Sequence, residues 1–456
     1  MSHRRKDSKR AYVIAGAGTA ALALAAITLP YASAGQQDES GPRTMSAKAA
    51  AAMGTKLADE NGANTAGWFI DGKAKKLVMN VLDEETAQRV EQSGAEARIV
   101  QNSKAELKKV SDTLAGAGAV PGTAWSVDPR TNKVSVLADQ TVDSQGWNSL
   151  TKTAAGMDGK MSLQRSSGKF QRLHGNGGMG AQGNGQGNGQ GIGDQGMGNG
   201  QGDQGNGQGN GNGQGAGNGD GAGDDGSGAG GDAAADGVLG GDAIFADGTR
   251  CSLGFNVTVD GAPGFLTAGH CGNAAKNWTS DEAGANAFGT IQDSQFPETD
   301  FAIATLDDAQ AEATSAVNLD PLGSGQGGTQ EITGAAEAAV GMQVQRSGST
   351  TGVTDGEVTG LDATVNYGGG DIVNGLIQTN VCAEPGDSGG SMFSEDKAVG
   401  LTSGGSGDCT QGGETFFQPV TDALEATGAE IGSGGGDAGQ QQGQEQGQEQ
   451  EQGLFQ

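Results

Sequence analysis

Leu266-Thr267-Ala268-Gly269-His270-Cys271 and, later in the same stretch, Gly386-Asp387-Ser388-Gly389-Gly390 decide how this sequence reads. Nucleophilic hydrolysis of a peptide needs a hydroxyl that loses its proton on attack. It also needs a base to take that proton, and a third group to hold the base in one tautomer. His270 is the sole His between residues 238 and 432, so it is the only imidazole candidate there. A lone His is usually structural; its weight here comes from its company. Glycines on both sides of Ser388 let backbone approach a substrate, and the N–H groups of Gly386 and Ser388 could serve a developing oxyanion. Asp300 stands at the entry to the apolar run Phe301-Ala302-Ile303-Ala304. A carboxylate there is costly unless hydrogen-bonded, and an imidazole N–H would satisfy it. Asp281, Asp293, Asp307 and Asp308 lie in more polar surroundings. The expected catalytic set is therefore His270, Asp300 and Ser388, in the chain order of one of the unrelated Ser-His-Asp architectures.

Around these residues, 238–432 reads as all-β. Short apolar runs such as 253–259, 301–304, 372–373 and 398–401 alternate with Gly, Asp, Ser and Asn. One terminal helix is expected over 421–429. Residues 35–174 read as a small α/β unit. Trp68-Phe69-Ile70, Asp71-Gly72 and Leu77-Val78-Met79 predict a hairpin. Residues 86–95 have helical spacing, and Arg98-Ile99-Val100 predicts a strand. Ser103 with Glu106 predicts a capping box. The segments around Trp125 and Val134 predict a second hairpin. Between the two units, residues 175–237 repeat Gly with Asn and Gln and contain no Lys or Arg. Such a stretch is expected to be disordered, a flexible linker of about 45 Å end to end. Residues 433–456 are Gly, Gln and Glu without periodicity, a disordered tail by composition.

The amino terminus has a basic start, an apolar run and Ala32-Ser33-Ala34 before Gly35, so 1–34 reads as a signal peptide and the protein as secreted. The formal charge of −28 excludes a nucleic-acid reading based on a basic footprint. Residues 35–174 carry 18 Lys+Arg and 16 Asp+Glu, whereas 238–432 carry 4 and 27, which permits electrostatic attraction between them. All four Cys follow residue 250. Export and an even number favour disulfides, and the four thiols allow three pairings.

From about Val238 to Ile431 the chain resembles the streptogrisins, bacterial serine proteases related to α-lytic protease. The resemblance rests on Gly241-Asp242-Ala243-Ile244, Arg250 to Val257, Thr267 to Cys271, Cys382 to Gly390 and Leu401 to Gly407. It implies a chymotrypsin-like fold of two antiparallel six-stranded barrels with the triad between them, and no metal or cofactor. It also implies disulfides Cys251–Cys271 and Cys382–Cys409, and an ion pair between Arg346 and Asp387. Ser403, Gly404 and Gly405 are expected to form the edge that binds substrate backbone. Residues 35–174 resemble the family's pro-region, a folding assistant and inhibitor that is later removed, with a junction expected near Val238. The long Gly-rich insert and the acidic tail depart from that pattern. The resulting expectation is a monomeric, self-processing endopeptidase acting on proteins and peptides, free of nucleic acid and membrane. Asn380 and Val381 before Cys382 carry no charge, and Thr402 stands where an acid-specific relative would place a His, so large apolar residues are expected before the cut. The rival reading is a secreted Gly-rich scaffold carrying an inactive protease-like domain.

Overall fold

The structure is a computed structural model that describes residues 45–116, 120–173, 175–176, 237–311 and 313–432. The expected signal peptide, the acidic tail, His174 and nearly all of the Gly-rich stretch lie outside the described residues.

Two α/β lobes come first. One comprises α1 (Ala47–Asn61), β1 (Thr65–Asp71), β2 (Lys76–Val81), α2 (Glu84–Gln92) and β3 (Glu96–Ile99). The first expected hairpin is present, with Phe69 opposite Val78. Asp83 caps α2 by accepting the Thr86 N–H at 2.7 Å. β3 lies parallel to β2, so α2 is the crossover that parallel strands require. The sequence reading overlooked α1. Its buried face is Ala50, Gly54 and Leu57, too small a stripe to announce itself, and the Trp68 ring lies where a Cβ on Gly54 would be.

The second lobe contains α3 (Lys104–Gly116), β4 (Thr123–Asp128), β5 (Lys133–Ala138), α4 (Ser144–Ala155) and β6 (Met161–Arg165). The capping box forms: Glu106 accepts the Ser103 N–H at 3.0 Å, and Ser103 Oγ accepts the Glu106 N–H at 3.3 Å. Beyond β6 the chain is extended, as β7 (Gln171–Arg172) and β8 (Gly175–Asn176). The first two residues of the stretch expected as a linker form β8. Gly175 and Asn176 are paired with Arg250 and Thr249 because an open sheet edge offers them hydrogen bonds.

The β-rich region begins with β9 (Ala243–Ala246), β10 (Thr249–Ser252), β11 (Phe255–Val259) and β12 (Ala262–Thr267). It continues through α5 (Gly269–Gly272), β13 (Asn277–Thr279), β14 (Ala287–Gln295) and β15 (Phe301–Leu306). These strands form one sheet in the order β11-β12-β15-β14-β13-β9-β10, with β8 on its edge. A small hairpin, β16 (Ala316–Asn318) with β17 (Thr329–Glu331), and the short β18 (Gly334–Ala335) lead to the second sheet. That sheet contains β19 (Gln343–Gly348), β20 (Gly352–Gly368), β21 (Asp371–Thr379), β22 (Ser391–Ser394), β23 (Lys397–Gly405) and β24 (Thr415–Pro419). Its order β19-β22-β23-β24-β21-β20 closes on itself, because β19 also pairs with β20. Helix α6 (Val420–Thr427) follows, where a terminal helix was expected.

Two sets of contacts fix the site. Phe255, Leu266 and Phe301 of the first sheet pack with Phe393 and Leu401 of the second and with Val420 and Ala423 of α6. Burying each such large side chain is worth about 1.5–3 kcal/mol, and together they clamp the end of β12 against the turn before β22. The second set joins the lobes to the β-rich region. β4 pairs with β20, so β4-β5-β6 extends the second sheet. Ser126 Oγ donates to Gln378 Oε1 at 2.8 Å, and Arg130 pairs with Glu357, consistent with the attraction expected between the balanced and acidic segments.

Candidate active site

Local chain geometry brings three distant residues together. β12 ends at Thr267, and the single turn α5 follows at once, with the Cys251–Cys271 disulfide tying it to β10. His270 lies on that turn. β15 pairs with β12, Ala302 opposite Thr267, so Asp300 just ahead of β15 arrives beside His270. Ser388 sits in the turn between β21 and β22. Asp300 and Ser388 are fully buried and His270 is 5% exposed.

The contacts define a hydrogen-bond line. Asp300 Oδ1 accepts the His270 backbone N–H at 2.9 Å, and its Oδ2 lies 2.9 Å from His270 Nδ1. A carboxylate can only accept, so Nδ1 carries the proton and Nε2 is the acceptor. His270 Nε2 is 2.7 Å from Ser388 Oγ. That arrangement can take a proton from Ser388 as it attacks a carbonyl. Gln418 was missed at the sequence level: its Oε1 accepts the Asp300 N–H at 2.8 Å. The only signal in the sequence was a polar residue directly after Phe416-Phe417; the structure buries it to 1% exposure. Phe296 was also missed; its ring meets the His270 ring edge-on with centroids 5.7 Å apart.

Around Ser388, Gly386 holds φ +108°, a conformation that favours glycine. The adjoining Asp387 is fully buried 3.1 Å from the equally buried Arg346 Nη1. Asp387 also accepts N–H groups from Thr350 (2.9 Å), Thr351 (3.2 Å) and Glu384 (2.8 Å), and the Thr351 hydroxyl at 2.8 Å. The second disulfide joins Cys382 to Cys409 and pins the segment ahead of this turn.

Ser403, Gly404 and Gly405 lie at the end of β23, where β7 runs antiparallel to them. Arg172 sits opposite Gly404 and Gln171 opposite Gly405. A Cβ on Gly404 would come within 2.6 Å of the Gln171 carbonyl oxygen, so glycine is what permits this approach. The Leu173 N–H donates to the Ser403 carbonyl at 3.4 Å, and the Leu173 carbonyl accepts the N–H groups of Gly386 (2.5 Å) and Ser388 (3.2 Å). Leu173 is 2% exposed. The cleft is thus filled by the chain's own segment, at residues the sequence reading did not single out. The available signal was a large apolar residue just ahead of the Gly-rich stretch. Arg172 stacks its guanidinium 5.4 Å from the Phe296 ring centroid and reaches Asp371 at 3.7 Å. Tyr367 contacts Ser403 Oγ at 3.2 Å, and burial pushes its phenol pKa far upward, so it stays protonated.

Asn380 is exposed, its Oδ1 accepting the Glu357 N–H at 2.7 Å, whereas its neighbour Val381 is fully buried. Thr402 is buried, its hydroxyl donating to the Gly390 carbonyl at 3.0 Å. Among the described residues, no group of three or more His, Cys, Asp or Glu is arranged to hold a metal ion.

Comparison with known proteins gives three family matches: an α-lytic protease pro N-terminal region over residues 38–100, an α-lytic protease prodomain over 102–158, and a trypsin domain over 257–426. The two pro matches coincide with the two α/β lobes. Streptogrisin-D of Streptomyces griseus is 45% identical over 95% of this chain and 92% of its own length. Streptogrisin-A of the same organism is 38% identical over 72% of this chain and 85% of its own. Glutamyl endopeptidase 2 of Streptomyces griseus is 43% identical over 42% of this chain and 99% of its own.

Proposed function

Because this chain belongs to the streptogrisin-type bacterial serine proteases that carry an amino-terminal pro-region, we propose that it is a secreted, self-processing endopeptidase cutting after large apolar residues. In this reading Ser388 attacks the peptide carbonyl. His270 takes the Ser388 proton and passes it to the leaving amine, while Asp300 orients His270 and stabilises its charged form. The N–H groups of Gly386 and Ser388 stabilise the oxyanion, and Ser403, Gly404 and Gly405 pair with the substrate backbone. The observation that carries this is a backbone carbonyl already held by the Gly386 and Ser388 N–H groups, beside a Ser388 Oγ 2.7 Å from His270 Nε2.

The accompanying fold reading is a pair of antiparallel barrels. The closed path of β19 to β24 supports one of them. The other closes if β10 and β11, which flank Leu253-Gly254, count as one bent strand, since β11 ends the first sheet on one side and β10 is its last strand before β8 on the other. In the pro-region, β4-β5-β6 extending β20 supports a role as folding assistant, and the filled cleft supports a role as inhibitor. An inactive scaffold would have no need of this hydrogen-bond line.

Apolar specificity is favoured by the buried Leu173 held at the nucleophile. A preference for Glu, as named for one relative, is the competing reading, and Thr402 supplies no positive charge for it. Profiling the mature enzyme on a peptide library decides between them. Dominant cleavage after Leu, Phe or Tyr is expected; dominant cleavage after Glu or Arg refutes the apolar assignment.

A further inference from the structure

An extended peptide occupies the cleft on both sides of Ser388. On one side, Gln171 and Arg172 pair with Gly405 and Gly404. On the other, Gly175 and Asn176 pair antiparallel with Arg250 and Thr249. Between them, the Leu173 carbonyl accepts the Gly386 and Ser388 N–H groups. A Cβ on Gly175 would stand 3.2 Å from Gly386 Cα, so the chain leaves the nucleophile at close quarters. The segment is anchored further back as well. Phe170 packs edge-on against Phe416 with centroids 5.7 Å apart, and its N–H donates to Asp139 at 2.8 Å. Ser166 Oγ contacts Ser406 Oγ at 2.6 Å and Glu414 at 2.8 Å.

The junction expected from the family pattern is held elsewhere. The Val238 carbonyl accepts the Asn256 side-chain amide at 2.9 Å, and the Leu239 N–H donates to Asp242 at 2.8 Å. Gly240 donates to Ala316 at 3.1 Å and accepts from Asn318 at 2.8 Å, while Gly241 donates to Leu253 at 2.7 Å. A cut beside Val238 needs several residues on each side to lie extended in the cleft, so these bonds would all have to break first.

We propose that the maturation cut falls after Leu173, so that residues 174–237 leave attached to the amino terminus of the protease domain instead of to the pro-region. The proposal rests on the endopeptidase reading above. Ser388 Oγ bonds to the Leu173 carbonyl carbon and gives its proton to His270 Nε2. The bond from that carbon to the His174 nitrogen breaks, and the nitrogen takes the proton. Water then attacks the ester, releasing the Leu173 carboxylate and restoring the Ser388 hydroxyl. With residues 174–237 between them in the chain, Leu173 occupies the cleft while Val238 keeps its place in the body. Removal of the Gly-rich segment would be a later and separable trimming.

The test is a time course of the full chain during refolding, read by intact mass and amino-terminal sequencing. The earliest pair of products should be a pro-fragment ending at Leu173 and a protease beginning at His174. In the full chain, L173F should cut at the same bond, whereas L173D should slow that cut by at least about 100-fold, a charge being far worse than a changed methylene in an apolar site. Folding is scored separately by circular dichroism in S388A and in S388A/L173D, where no cut is required. A first product beginning at Val238 or elsewhere overturns the processing site while leaving the protease reading intact. Equal cutting of L173D and wild type at this bond also overturns it. Cutting of purified S388A on its own would instead overturn the protease reading.

Discussion

The buried pair Arg346–Asp387 should be strongly asymmetric when either side is removed. Asp387→Ala leaves the fully buried Arg346 with only the neutral partners Thr351, Thr354 and Gly352. It also strips the acceptor from the N–H groups of Thr350, Thr351 and Glu384. An uncompensated buried charge costs about 3–5 kcal/mol, and unpaired donors add about 1 kcal/mol or more. Arg346→Met, by contrast, leaves Asp387 with three N–H donors and the Thr351 hydroxyl, so its cost should be only about 2 kcal/mol. With a urea slope of about 2 kcal/mol/M, the midpoint should fall by roughly 2 M for the first variant and about 1 M for the second. Urea unfolding is best followed in a Ser388→Ala background, where self-digestion is absent. Arg346→Met costing as much as Asp387→Ala would refute the argument that the three N–H donors and one hydroxyl sustain the carboxylate.

Asp300→Asn should keep the fold but present an amide N–H to His270 Nδ1, favouring the tautomer that cannot accept from Ser388. Steady-state kinetics should show kcat reduced by about 10³–10⁴-fold with KM little changed. Asp242 is raised above 3.8 by burial, opposed by the Leu239 N–H and Asn318. Its folded form binds a proton more tightly than its unfolded form, so its contribution is full below 3.8 and is lost as pH rises through the raised value. Urea stability of the Ser388→Ala protein should therefore decline relative to Asp242→Asn across the range just above pH 3.8; a difference that grows with pH in the opposite direction refutes that sign.

The parts most legible in the sequence were those where local chemistry is restrictive. Asp300 ahead of four apolar residues had to find a donor, and glycines around Ser388 had to serve close backbone approach. The structure places Asp300 beside His270 and Gly386 at positive φ. The capping box at Ser103 and the hairpin at 68–79 were likewise local signals. What escaped was non-local. Gln418 reaches Asp300 across the sheet, and β4 joins β20 at a sequence distance no periodicity reports. Gln171, Arg172 and Leu173 form no apolar stripe and look like a polar junction until Gly404 and Gly405 are seen beside them.

The central claim is that Ser388 is the nucleophile of a working hydrolase. Treating the mature enzyme with a serine-directed organophosphorus reagent and mapping the adduct by mass spectrometry tests it most directly. One phosphoryl group per chain should appear on Ser388, with peptidase activity lost in proportion to labelling, and Ser388→Ala should take up none. Full activity with Ser388 labelled, or labelling and inactivation at another residue, would contradict the account.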